Sequence, residues 1–224
     1  AGPILDEAVK LSGPIDVMAL ATQGIVMGDD IHMRTQATTN LLIRNLLPHI
    51  VAVAGEHGVE FATYLGGNHL FFLNIAMAAA KSLTLWAEKV QGSSIVTTMA
   101  RNGTTFGIKL AGNDEWFLTE APPVGDALYY SGFGPDTAAR DIGDSAVLEL
   151  VGLGGPAAAG SPAVAAFLGG TMADARRATE QMNQICTGPS TRFKLPIMDF
   201  RGTPVAVDVR HVAESGITPK VNTG

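Results

Sequence analysis

Through the first ninety residues the apolar side chains recur at helical spacing, and beyond Gln91-Gly92 that spacing gives way to short β-rich runs. This change of period constrains the chain most, because it excludes an all-helical bundle and an all-β sandwich alike and leaves an α+β architecture. Ile4, Leu5, Ala8, Val9 and Leu11 mark a first helix, stopped by Ser12-Gly13-Pro14. Ile15 to Met27 reads as a second, closed by Gly28. Asp29 and Asp30 occupy the N-cap place of a third, over Met33 to Leu47, which Pro48 is expected to end. Helical spacing resumes from Ile50 to Tyr64 and breaks at Gly66-Gly67, where Asn68 can cap a long apolar helix from Leu70 to Lys89.

The remainder is punctuated differently. Ser93 to Ala100 and Thr104 to Leu110 are β-rich and flank Arg101-Asn102-Gly103, and Asn-Gly between two such runs is the strongest short hairpin signal. Glu115 to Thr119 suggests a third strand, and Gly132 to Gly143 a loop. Short helices are expected over Ser145 to Val151 and Pro162 to Leu168, a longer one from Thr171 to Cys186 with Thr171 as its cap, and a strand over Pro204 to Val209. The expected organisation is a helical N-terminal subdomain, 1–90, followed by an α+β domain with an antiparallel hairpin, 91–224, the two standing apart or integrated as one unit.

Composition narrows the function classes. Hydrophobic residues at 46% against 16% charged ones argue against disorder. Acidic residues outnumber Lys and Arg by 21 to 15, so a nucleic-acid surface spread over the whole domain is not expected. The longest apolar stretches, Leu70 to Ala80 and Pro156 to Leu168, fall short of the roughly 18–20 residues of a bilayer crossing. Asp6, Glu7, Lys10 and Asp16 argue against a signal peptide at the start, and a cytoplasmic location is expected. The chain starts at Ala1 without Met and stops at Asn222-Thr223-Gly224, as a fragment or a processed product would. A single cysteine, Cys186, forms no internal disulfide and reads as buried and inert. Histidines 32, 49, 57, 69 and 211 show no metal-ligand spacing, and Gly152-Leu-Gly154-Gly155 lacks a dinucleotide fingerprint. No Walker loop and no Gly-x-Ser-x-Gly elbow occurs, so neither a metal nor a cofactor is expected.

Four polar clusters are left. Met27-Gly-Asp29-Asp30-Ile-His32-Met-Arg34-Thr35 is explained by helix capping at its aspartates but not at His32 and Arg34. Gly66-Gly67-Asn68-His69 leads to Asn74, which needs a partner if it is buried in its apolar helix. Thr97-Thr98-Met-Ala-Arg101-Asn102-Gly103 is well explained as a hairpin turn with an exposed arginine. The fourth pairs Asp141-Ile-Gly143-Asp144-Ser145 with Asp199-Phe-Arg201-Gly202-Thr203-Pro204, polar residues beside glycine where turn chemistry and sites both occur. Arg34, Arg101 and Arg201 offer planar forks suited to carboxylate or phosphate, so a small anionic ligand is expected.

At these residues the sequence resembles the large-subunit family of bacterial oxamate carbamoyltransferase. The resemblance runs through Met27 to Arg34, Asn68 to Asn74 with Ala78 to Lys81, Thr98 to Gly107, Asp141 to Ser145, Gly152 to Gly155, Asp199 to Pro204 and Asn222 to Gly224. Family members are about twice this length, and the likeness is to their C-terminal half. Where the family's first motif usually carries Asn, this chain has Met33 and Thr35. The resemblance implies a mixed α+β fold with a small helical subdomain. It also implies a subunit of an enzyme of allantoin breakdown, which moves a carbamoyl group between oxalurate and phosphate to give oxamate and carbamoyl phosphate. An FdrA-type partner or a homo-oligomer is implied as well.

For such a reaction Arg34, Arg101 and Arg201 are expected to clamp anions, and His32 to give a proton or a hydrogen bond, with no metal or covalent nucleophile required. Asp144 is the further catalytic candidate, and Asp30, Asn68, Asn74, Asn102, Ser145, Asp199 and Thr203 are the candidates for holding substrate. Two other readings stand beside this one. A non-catalytic assembly subunit would dock through its apolar surface, and a small-amide hydrolase would activate water with Asp144 or Asp199.

Overall fold

The structure is a computed structural model that describes residues 1–124, 127, 129, 131–167 and 170–222. Thr223 and Gly224 of the last resembling segment, and Leu168 at the end of an expected helix, lie outside the described residues.

Helices fill the first part: α1 (Gly2–Ser12), α2 (Val17–Val26), α3 (Gln36–Val53), α4 (Gly58–Gly67) after a 3-10 turn at Gly55–His57, and α5 (Phe71–Ala87). Helix α3 runs through Pro48 instead of stopping before it. Its buried residues Leu42, Leu46 and Ile50 continue one apolar stripe on both sides of the proline. Pro48 and Arg44, whose carbonyl the proline leaves free, both lie on the exposed face, where water can satisfy that group. Asn68 closes α4 rather than capping α5, and Leu70 precedes α5 with no side-chain cap. Asn74 points to solvent, so it needs no buried partner.

Strands β1 (Val96–Asn102) and β2 (Thr105–Leu110) form the expected hairpin, with Gly103 at φ +83° in its turn. Strand β3 (Phe117–Glu120) extends the sheet beyond β2, and a two-residue β4 (Ile142–Gly143) pairs with β1 on the other side, through Arg101 opposite Gly143. Helix α6 (Val147–Leu150), a 3-10 stretch (Gly155–Gly160), α7 (Pro162–Phe167) and α8 (Met172–Ile185) follow. The Thr171 cap of α8 is a full capping box with Asp174. A second antiparallel sheet joins β5 (Cys186–Leu195) to β6 (Arg201–Val207), and α9 (Val209–Ser215) ends the ordered elements. Strand β5 was not expected, and Cys186 opens it instead of ending a helix. Burial pushes the Cys186 thiol up to about 12.

This is an α+β fold with two apolar cores. The first gathers α1 to α5 around Leu46, Phe61 and Phe72, and it also takes Leu148, Leu153, Phe193 and Leu195 from the later part of the chain. The second packs Val96, Met99, Met182, Ile185 and Val207 with Ala146 and Leu150. Helix α6 therefore places Leu148 in one core and Leu150 in the other, with Glu149 fully buried between them. No single helix among the described residues is long and apolar enough to cross a membrane.

Candidate functional site

Between the two cores, the loop after α2, the end of β1 and the segment leading into α6 meet. The loop carries Ile31, fully buried at φ +65°, a conformation that costs a branched residue about 1–3 kcal/mol and persists only where its surroundings enforce it. Asp30 supplies that enforcement. Its carboxylate accepts the amides of His32 at 3.1 Å, Met33 at 3.3 Å and Arg34 at 2.8 Å, and its carbonyl accepts the Gly154 amide at 2.7 Å. Asn222 donates its side-chain amide to Asp30 Oδ2 at 2.7 Å. The neighbouring Asp29, also fully buried, accepts the Ala37 and Thr38 amides and the Thr38 hydroxyl, so it caps α3 across the loop rather than from the N-cap position. Arg34 Nη1 donates to Asp29 at 2.6 Å. Burial pushes the Asp29 carboxyl up from its usual range, against the pull of those bonds.

The folded loop aims His32 at α6. Its Nδ1 lies 2.7 Å from Glu149 Oε1 and its Nε2 lies 2.6 Å from Ser145 Oγ. Ser145 and Glu149 are four residues apart, which in a helical turn puts both side chains on one face. Glu149 Oε1 also accepts the amides of Gly155 at 3.1 Å and Asn222 at 3.2 Å, which marks it as the acceptor and Nδ1 as the donor. Gly154, at φ +63°, leaves the room this requires: a Cβ there would lie 2.0 Å from Glu149 Oε1 and 3.0 Å from His32 Nδ1. Burial disfavours a charged His32, but Glu149 and Asp30 outweigh burial and the opposing Arg101, and the net shift is upward.

Arg101 is fully buried at its side chain, not exposed in the turn. It donates Nε to Asp141 Oδ1 at 3.0 Å and Nη1 to the Gly143 carbonyl at 2.9 Å. Its Nη2 is buried without a partner among the described residues, and so is Glu149 Oε2. The result is a chain of serine, imidazole and carboxylate, buried at the imidazole and the carboxylate, beside a guanidinium whose Nη2 is unengaged. Such a chain can pass a proton to and from a group reacting at Ser145. Among the described residues, no three His, Cys, Asp or Glu side chains are grouped to hold a metal ion.

The expected site residues divide accordingly. Asp30, His32 and Ser145 are joined by direct contacts, and Arg34 and Arg101 flank them. Asp144 is next to Ser145 but exposed. Asn102 is occupied in the hairpin turn, where its side chain accepts the Thr104 and Thr105 amides. Asn68 and Asn74 belong to α4 and α5 and make no side-chain hydrogen bond to the cluster. Thr203 is buried on β6, where a Cβ on Gly152 would meet its hydroxyl at 2.6 Å. Asp199 and Arg201 are exposed at the corner between β5 and β6. Arg201 contacts Met198 Sδ at 3.9 Å and forms no ion pair with Asp199 among the described residues. Four members of the cluster were not selected from sequence: Asp29, Asp141, Glu149 and Asn222. For Glu149 a signal existed, because it is the one charged residue between Ser145 and Gly155.

The family described as oxamate carbamoyltransferase subunit AllG matches residues 1–145. Oxamate carbamoyltransferase subunit AllG of Escherichia coli (strain K12) is 38% identical over 226 residues, covering 99% of this chain and 54% of that protein. The uncharacterized protein YahG of the same strain is 37% identical over 225 residues, covering 99% and 48%. A crystal structure of a conserved protein of unknown function from Enterococcus faecalis V583 superposes with a TM-score of 0.92 at 35% identity, covering 99% of this chain and 54% of that one. The chain spans about half the length of the relatives it matches.

Proposed function

The chain belongs to the family of oxamate carbamoyltransferase subunit AllG, and on that premise we propose that it contributes the His32 cluster as the active-site part of a multi-subunit carbamoyltransferase. The reaction moves a carbamoyl group between a ureido acid of the oxalurate type and phosphate, giving oxamate and carbamoyl phosphate. The observation that carries this reading is His32, held at hydrogen-bond distance from both Glu149 and Ser145 in a buried network drawn from distant parts of the sequence. Carbamoyl transfer needs a proton delivered to the departing oxamate nitrogen and positive charge near the oxyanion that forms at the carbamoyl carbon. His32 supplies the proton. Arg101 supplies the field, and Arg34, partly exposed, lies on the open side of the loop where the substrate carboxylate would sit. Asp30 and Asn222 hold the loop.

The test uses the full-length parent protein with its partner subunits. Oxalurate cleavage should require phosphate, and His32→Gln should lower turnover by about 10²-fold or more. Cleavage that proceeds equally without phosphate would mark a hydrolase instead. An assembly role is favoured by a different observation: Trp116, Phe117 and Leu118, on and beside edge strand β3, are all substantially exposed. That reading predicts a His32→Gln complex of full activity.

A further inference from the structure

We propose that Ser145 is a nucleophile that carries the carbamoyl group on its Oγ between the two half-reactions, with His32 as its base and Glu149 as the group that orients the imidazole. The proposal rests on the function put forward above and adds a covalent intermediate to it.

Three features of the geometry support it. First, the order of contacts is Ser145 Oγ to Nε2 at 2.6 Å, then Nδ1 to a buried carboxylate at 2.7 Å, which is the arrangement that turns a serine into a nucleophile on unrelated folds. Glu149 Oε1 takes three donors, so Nδ1 keeps its hydrogen, and in the neutral imidazole Nε2 presents its lone pair to the Ser145 hydroxyl. Second, exposure falls along the chain: Ser145 is half-buried, whereas His32 is 3% exposed and Glu149 fully buried. A purely structural His–Glu pair has no need of a reachable hydroxyl at its outer end. Third, Arg101 packs against the backbone of Gly143, two residues before the serine in sequence. Its Nη1 bonds the Gly143 carbonyl, and a Cβ on Gly143 would lie 3.4 Å from the unpartnered Nη2. A fixed cation against the Gly143 backbone, which leads into the nucleophile, favours the tetrahedral oxyanion.

The steps balance without redox change or added cofactor. In the first, Ser145 Oγ gives its proton to His32 Nε2 and bonds to the ureido carbonyl carbon. The bond from that carbon to the oxamate nitrogen breaks, the nitrogen takes the proton from His32, and oxamate leaves. In the second, an oxygen of hydrogen phosphate attacks the carbamoyl carbon. The carbon–Oγ bond breaks, and the phosphate's proton passes through His32 back to Oγ.

Two probes test this on the assembled full-length enzyme. The first is oxalurate without phosphate, followed by acid quench and peptide mass spectrometry, together with exchange of labelled oxamate into oxalurate. The expected result is one carbamoyl group on the Ser145 peptide and exchange that needs no phosphate, both lost in Ser145→Ala, with overall transfer down about 10³-fold. The second probe is an activated aryl carbamate ester, which should label Ser145 in the parent and not in His32→Gln. Melting curves check that the variants are folded, and Ser145→Cys should regain labelling if a nucleophile is what is missing. Phosphate-dependent transfer with neither adduct nor exchange, or full transfer by Ser145→Ala, overturns the nucleophile and leaves the proposed function standing. Labelling of Ser145 without phosphate-dependent transfer does the reverse. Neither labelling nor transfer removes both.

Discussion

The His32 cluster and the Asp199–Arg201 corner look alike in sequence, since each sets an aspartate and an arginine beside a glycine. In the fold they are opposites. Asp30, His32 and Glu149 are buried between two cores, and each is held by partners at least a hundred residues away. Asp199 and Arg201 are exposed, with Asp199 at φ +53° in a turn that only reverses the chain between β5 and β6. Burying polar groups is costly unless every bond is supplied, so a buried network drawn from several segments is hard to account for as turn chemistry. An exposed acid–base motif at a strand corner is readily accounted for that way. Position relative to the cores, not residue type, separates the two regions.

The contrast breaks most severely at Glu149. Glu149→Ala removes the partner of a buried imidazole and two amides, and breaking one side of a buried pair typically costs about 3–5 kcal/mol. Urea unfolding should show that loss. A cost below about 1 kcal/mol would mean that the network is held elsewhere and that the two regions are energetically alike.

His32 sharpens the contrast through pH. Its folded pKa lies above the ordinary 6.5, because Glu149 and Asp30 together outweigh burial and the opposing Arg101. The folded state therefore binds this proton more tightly than the unfolded chain. The stabilisation is fully present below the unfolded value and is lost as pH rises through the folded one. Unfolding free energy should decline as pH is raised above 6.5, and His32→Gln should flatten that decline. An identical slope in parent and variant would assign it to other groups.

How much of this the sequence disclosed follows the range of the forces involved. Helical spacing, the Asn102-Gly103 turn and the Thr171 cap are local, and they read out correctly. The stop expected at Pro48 did not occur, because the apolar stripe Leu42-Leu46-Ile50 lies on the opposite side of α3 from the proline. Strand β5 escaped notice because its pairing with β6 is fixed across a turn, with Gly188, Pro189 and Ser190 inside it. At the site, His32 was legible as a polar residue that capping did not explain, and Asp30 and Ser145 as polar residues beside it or beside glycine. Glu149 was passed over although it is the one charged residue of its segment, since a lone glutamate in Ala146-Val-Leu-Glu-Leu-Val151 also reads as the solvent side of a short helix. Both sides of that helix are covered, because Leu148 and Leu150 belong to different cores, and that is a long-range fact.

The smallest expected effect is at Arg201. From sequence its fork was a candidate anion clamp, oriented by Asp199. In the fold the guanidinium is exposed, touches Met198 Sδ at 3.9 Å and has no ion pair with Asp199 among the described residues. A surface side chain of this kind is worth about 0.5 kcal/mol or less in either direction. Arg201→Ala should therefore leave unfolding within that range, and turnover of the assembled enzyme within about twofold, or about 0.4 kcal/mol in the transition state. Arg101 differs by its two donated bonds and its burial, although in the sequence both arginines stand close to a glycine. If Arg201→Ala instead lost tenfold or more in turnover while remaining folded, the β5–β6 corner would have to be covered by a partner subunit that completes a site there. The separation between a buried polar network and an exposed corner would then hold for this chain alone and not for the assembly.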